Sequence, residues 1–105
     1  MKWCCVQMRS LIDNAGERGL SAIAVHHANL RGVFLQTRAC DVDLQDQFRI
    51  ELSKAGVITH FCVESEQAIK VCPWCGTQIK TLIESQMLDF DTLASNHVPL
   101  VLSPF

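Results

Sequence analysis

Apolar positions recur along this chain at two alternating periods. Met8, Leu11, Ile12 and Ala15 fall at helical spacing and are followed by Gly16 and Gly19, so residues 4–14 read as a short helix with both early cysteines in its first turn. Residues 20–27 and 33–39 are β-favouring runs separated by a glycine-containing loop over 28–32, a first hairpin. Asp43 can cap a helix whose Leu44, Phe48, Leu52 and Ala55 are spaced four, four and three apart, with Asp46 in its first turn and Gly56 just past its end. Residues 57–63 and 68–72 read as strands joined by polar Glu64-Ser65-Glu66-Gln67, a second hairpin that delivers Cys72 at its exit. Ile79, Leu82 and Ile83 predict a further helix that resumes over 88–94, and an apolar tail carries Pro99 and Pro104. The order α-β-β-α-β-β-α predicts an α+β fold: an antiparallel sheet of about four strands with flanking helices on one face. Without a repeat or an internal boundary, residues 1–105 read as a single domain.

Composition agrees with a compact soluble core, 49% of the 105 residues being apolar and 19% charged. The 9 basic residues are scattered among 11 acidic ones, so neither a nucleic-acid partner nor an acidic lipid surface is expected. Six cysteines would suit a disulfide framework in a secreted protein. The start Met1-Lys2-Trp3-Cys4-Cys5 runs into Gln7, Arg9 and Ser10 without the roughly 7–15 apolar residues of an export signal, which points to a reducing cytoplasm. Apolar runs stay far below the ~20 residues of a membrane span, and the Cys4-Cys5 and Ser103-Pro104-Phe105 contexts lack lipidation signals.

Candidate chemistry concentrates in Cys72-Pro73-Trp74-Cys75-Gly76, a C-x-x-C knuckle, and in the distant Cys4-Cys5 pair. Two cysteines separated by two residues can point into one tetrahedral site when the chain turns tightly between them. Pro73 presets its φ near a turn value, and Gly76 permits a left-handed residue that lets amides approach the sulfurs and stabilise thiolate charge. Two cysteine pairs therefore suggest a tetrathiolate zinc site, yet Cys4, Cys5, Cys40, His60 and Cys62 all compete for the two positions left beside Cys72 and Cys75. If residues 64–67 form a four-residue loop, Val63 pairs with Ala68, Thr59 lies opposite Cys72 and shares its face, and His60 and Cys62 point to the other face; a register slip of one residue would bring His60 and Cys62 to the face of Cys72 instead. Cys40, just before Asp41, reads as a small buried or half-buried thiol.

The chain resembles a set of small bacterial zinc-ribbon-like proteins that begin with a Cys-Cys pair and end their core with a C-P-x-C-G knuckle. The matching residues are Trp3-Cys4-Cys5 and Val71-Cys72-Pro73-Trp74-Cys75-Gly76-Thr77-Gln78-Ile79. That resemblance implies a zinc-ribbon-like site and favours Cys4 and Cys5 as the partners of Cys72 and Cys75; it implies no activity. Adjacent ligands converge only if the backbone bends between them.

The sharpest rival is redox chemistry, since Cys-Pro-aromatic-Cys also resembles the active-site motif of glutaredoxins, where the first thiolate is activated at a helix N-terminus. That fold places the motif near its start, whereas 71 residues precede Cys72 and 30 follow Cys75 here. A catalytic zinc with water in an open position lacks its pairings: neither H-E-x-x-H nor a deaminase H-x-E with P-C-x-x-C is present. Five dispersed glycines offer no phosphate-binding loop. Adjacent His26 and His27 point to opposite faces of a strand and are poor co-ligands. Trp3 and Trp74 flank the two thiol clusters and are placed to cover a metal or to fill core. The tail 98–105 must either pack on its own domain or add to the sheet edge of another copy or a partner. The sequence thus points to a small cytoplasmic α+β domain built on a structural zinc held by Cys4, Cys5, Cys72 and Cys75. It acts by binding another protein or itself, with a Cys72/Cys75 thiol-disulfide oxidoreductase as the alternative.

Overall fold

The structure, a computed structural model, describes residues 1–38 and 64–102. Helix α1 (Val6–Asp13) leads into the hairpin of β1 (Gly19–His27) and β2 (Leu30–Arg38), and the chain returns as β3 (Glu64–Ile69), α2 (Ile79–Glu84), α3 (Met87–His97) and a 3-10 turn, Val98–Leu100. Among the described residues the sheet is antiparallel with the order β1-β2-β3. The expected helix over 43–55 and strand over 57–63 lie outside the described residues.

Two expectations for this sheet need correction. The first hairpin turns on Ala28 and Asn29 alone, because His27 pairs with Leu30 and Gly32 lies inside β2 opposite Val25. Ala28 takes the left-handed φ of 53° that so short a turn demands. The second correction is larger: residues 64–67 are not a hairpin loop but the first two-thirds of β3, paired with β2 from Arg38↔Glu64 to Val33↔Ile69. Their polarity suits their neighbours, since β2 is itself polar at Gln36, Thr37 and Arg38. Gln36 Nε2 donates to Glu66 Oε2 at 2.7 Å, and the Thr37 and Ser65 hydroxyls share a hydrogen bond. With residues 64–67 in a strand, the register argument about His60 and Cys62 loses its basis; these two and Cys40 lie outside the described residues.

The core forms where the helices meet one face of the sheet. Ala22 and Leu35 are cross-strand partners, as are Ala24 and Val33, and Val33 and Ile69, so these residues share a face. Against it pack Met8 and Ile12 from α1, Ile79 and Ile83 from α2, and Phe90 and Ala94 from α3. Alanine at 22 and 24 leaves room for α1 and α3, which both cross β1. Polar contacts fix the helices in place: Arg31 grips Asp91 of α3 through Nε–H and Nη2–H at 2.7 and 2.9 Å, and His26 Nδ1 lies 3.2 Å from the same carboxylate.

Residues 98–102 lie along their own sheet. The Leu100 carbonyl accepts from Gln36 Nε2 at 2.8 Å and from Arg38 Nη2 at 2.7 Å, and the Leu102 amide donates to Glu66 Oε2 at 2.9 Å. Just upstream, buried His97 accepts the Ala24 amide at Nδ1, 2.9 Å, which satisfies a backbone donor on the outer edge of β1. Burial holds the His97 imidazole below its ordinary pKa. The unfolded chain then takes up that proton more readily, so the contribution is whole above about pH 6.5 and drains away as pH falls. His97→Gln keeps an acceptor without a titrating group. Its urea midpoint is expected to fall less between about pH 6.5 and 5 than that of the wild type.

Candidate metal centre

The knuckle is a small hairpin in its own right. The Cys72 amide donates to the Thr77 carbonyl and the Gly76 amide to the Cys72 carbonyl, each at 2.9 Å, while Val71 bridges Gln78 and the Ile79 amide reaches the Lys70 carbonyl at 2.9 Å. This closure requires Gly76 at φ +75°, where a side chain would be strained. Cys72 is drawn into the core at 1% exposure, and Cys75 stays on the solvent side.

The opposite wall comes from the N-terminal segment. Lys2 is clamped at its backbone by Gln86, whose Oε1 accepts the Lys2 amide at 2.7 Å and whose Nε2 donates to the Lys2 carbonyl at 2.8 Å. Met1, Trp3, Cys4 and Cys5 then pack, partly buried, against the core. The backbone bends at Cys4 and Cys5 before entering α1, with Cys5 as an extended N-cap at φ −159°, ψ 167°, so the two cysteines precede the helix instead of sitting in its first turn as the apolar spacing predicted. That bend lets adjacent side chains converge.

The outcome is a single cluster: the sulfurs of Cys4, Cys5, Cys72 and Cys75 all lie within 4.8 Å of one another, with Cys5 Sγ and Cys72 Sγ 3.7 Å apart. A tetrahedron with metal–sulfur bonds of 2.3 Å has edges of ~3.8 Å, so the Cys5–Cys72 edge is already at that length and no edge needs more than about 1 Å of contraction. All four cysteines are free thiols. A soft, four-sulfur donor set of this size fits a tetrahedral thiophilic cation.

Electrostatics divide the four. Burial pushes the Cys4 thiol up to about 12, helped by hydrogen bonds with Cys75 and Cys72 and by repulsion from those neighbours' charge. At Cys5 the Met8 amide in the first turn of α1 pulls down, yet burial and the Cys72 and Cys75 thiols leave it raised. Cys75 goes the other way, down to about 6, chiefly because the Thr77 hydroxyl, 3.2 Å from its sulfur, and the Thr77 amide stabilise its thiolate. A cation held here would be met most readily by the Cys75 sulfur, whose thiolate is stabilised, whereas its bond to Cys4 would require loss of the proton that burial favours.

Trp3 is partly buried against the core, whereas Trp74, on the knuckle, is 44% exposed. Gln86 and Thr77 carry no sequence signal for their roles: one acts on a backbone 84 residues away, and the other follows the motif as an ordinary turn residue. Beside the centre, a groove of about 830 Å³ runs between α1 and α3, lined in part by Lys2, Trp3, Cys5, Arg9, Asp89 and Leu93. No described helix is long and apolar enough to cross a membrane. The fold and cluster define an α+β protein with a four-cysteine centre able to hold a metal ion. No family model, curated protein or solved structure matches the chain.

Proposed function

We propose that the protein binds one structural zinc ion through Cys4, Cys5, Cys72 and Cys75, and that the domain so braced works as a protein-interaction module. The observation that carries this reading is the convergence of four sulfurs within 4.8 Å from two segments more than 60 residues apart, Cys5 and Cys72 being separated by 67. Four thiolates suit zinc and leave no open coordination position for substrate, which argues for construction rather than catalysis. Free thiols in such number suit a reducing cytoplasm, and the resemblance to bacterial zinc-ribbon-like proteins points the same way. The open groove between α1 and α3 supplies surface for a partner.

The thiol-disulfide oxidoreductase reading draws on Cys75, exposed and acidic. It is weakened by the order of the motif: the first cysteine, Cys72, is the buried one, and α2 begins only at Ile79.

Native mass spectrometry with elemental analysis, on protein purified under reducing conditions without chelator, tests the proposal. One zinc per chain is expected, and the double variant Cys4→Ser/Cys5→Ser should lose it. Full zinc in that double variant would remove the N-terminal pair from the site, and metal-free folded protein that reduces a disulfide would bring the dithiol forward. Gln86→Leu should lower zinc affinity by roughly tenfold in competition with a chromogenic chelator, because it releases the clamp on Lys2 that sets Cys4 and Cys5.

A further inference from the structure

We infer that Cys75 is a site of oxidative modification, the entry point through which a hydroperoxide opens the metal centre and expels its zinc. The inference rests on the zinc reading above and adds to it a reaction, a site and a co-reactant class. A metal with four protein ligands offers an oxidant no vacant position, so attack must begin at a sulfur.

The four sulfurs are unequally reachable. Cys72 is 1% exposed, Cys4 and Cys5 are half-buried, and Cys75 alone among them is exposed. The backbone beside it is open as well, since a Cβ placed on Gly76 would meet no atom within 4 Å. The second requirement for a reversible oxidation is a thiolate within reach, and Cys72 lies inside the 4.8 Å cluster on the same knuckle. The turn that joins them is already closed by the Gly76 to Cys72 hydrogen bond.

The chemistry balances without a further reactant. The Cys75 thiolate attacks one oxygen of hydrogen peroxide, the O–O bond breaks, hydroxide leaves, and Cys75 becomes a sulfenic acid. The Cys72 thiolate then attacks that sulfur, the S–OH bond breaks, and a second hydroxide leaves with formation of the Cys72–Cys75 disulfide. Two thiolates have lost two electrons and the peroxide has gained them. Zinc keeps only Cys4 and Cys5 and departs into water. Because those two residues belong to the N-terminal segment, the metal's tie between that segment and the knuckle is cut; two equivalents of a small thiol, themselves oxidised to a disulfide, return Cys72 and Cys75 to thiols, and zinc must rebind to restore the tie.

The test begins with zinc-loaded full-length protein whose metal content has been measured. Hydrogen peroxide is added at equimolar amount with a chromogenic chelator present, and a parallel sample contains a cyclic-diketone trap for sulfenic acids. The expected result is release of one zinc per peroxide consumed, the trap on Cys75, and, without the trap, a mass lower by two hydrogens mapped to a Cys72–Cys75 disulfide. Zinc loss with the first modification on Cys4 or Cys5 overturns the assignment. So does peroxide consumption at methionine while zinc stays bound. A protein that holds no zinc before peroxide is added overturns the zinc reading itself, and this inference with it.

Discussion

Cys72→Ser is expected to strip the protein of zinc and to leave it largely unfolded at room temperature. Cys72 is the most buried of the four sulfurs, belongs to the main core cluster, and sits 3.7 Å from Cys5, so its loss strikes metal and packing together. A structural zinc contributes on the order of 10 kcal/mol in small metal-dependent folds. That is comparable with the whole net stability of a domain of this size, about 5–15 kcal/mol. Serine nearly keeps the shape, so the packing share of the loss is small beside the loss of the thiolate. Circular dichroism together with elemental analysis reads the outcome. A variant that keeps both one zinc per chain and a wild-type melting curve would show that Cys72 is not a ligand.

Phe90→Ala should lower the unfolding free energy by about 3–5 kcal/mol while leaving zinc stoichiometry at one per chain in the native state. Phe90 is fully buried on α3 and belongs to the cluster that unites α1, α2, α3 and the shared face of the sheet. Truncating it removes a large side chain that the neighbouring Ala22, Ala24 and Ala94 are too small to replace. Urea denaturation in the presence of zinc measures the loss. A change below about 1 kcal/mol would mean that the helices are held on the sheet mainly by their polar contacts and the metal.

How much of this was legible in the sequence depends on whether the signal was local. The first helix, the strands of the first hairpin and the two C-terminal helices were readable because each carries its own local pattern, but the hairpin's turn and the start of the first helix were misplaced. Met8 and Ile12, for example, are buried at the spacing that predicted them. β3 was misread because its first four residues, Glu64 to Gln67, are polar, and a polar strand beside polar positions of β2 has the same local look as a loop. The knuckle could be found from spacing alone. Cys4 and Cys5 could be favoured only through resemblance, since nothing nearby reports that the chain bends there and returns to residue 72. Gln86 was invisible for a related reason. A side chain that binds backbone leaves no complementary residue to recognise, and its partner is 84 positions away.

That clamp also bears on how the protein can change over evolution. Gln86 recognises the amide and carbonyl of residue 2, not its lysine side chain. The clamp therefore lets position 2 drift through any residue except proline, which lacks the N–H, while position 86 must keep a side chain that both donates and accepts. Relatives of this chain should show a glutamine that stays fixed opposite a site that varies, a constraint with no covarying partner to reveal it.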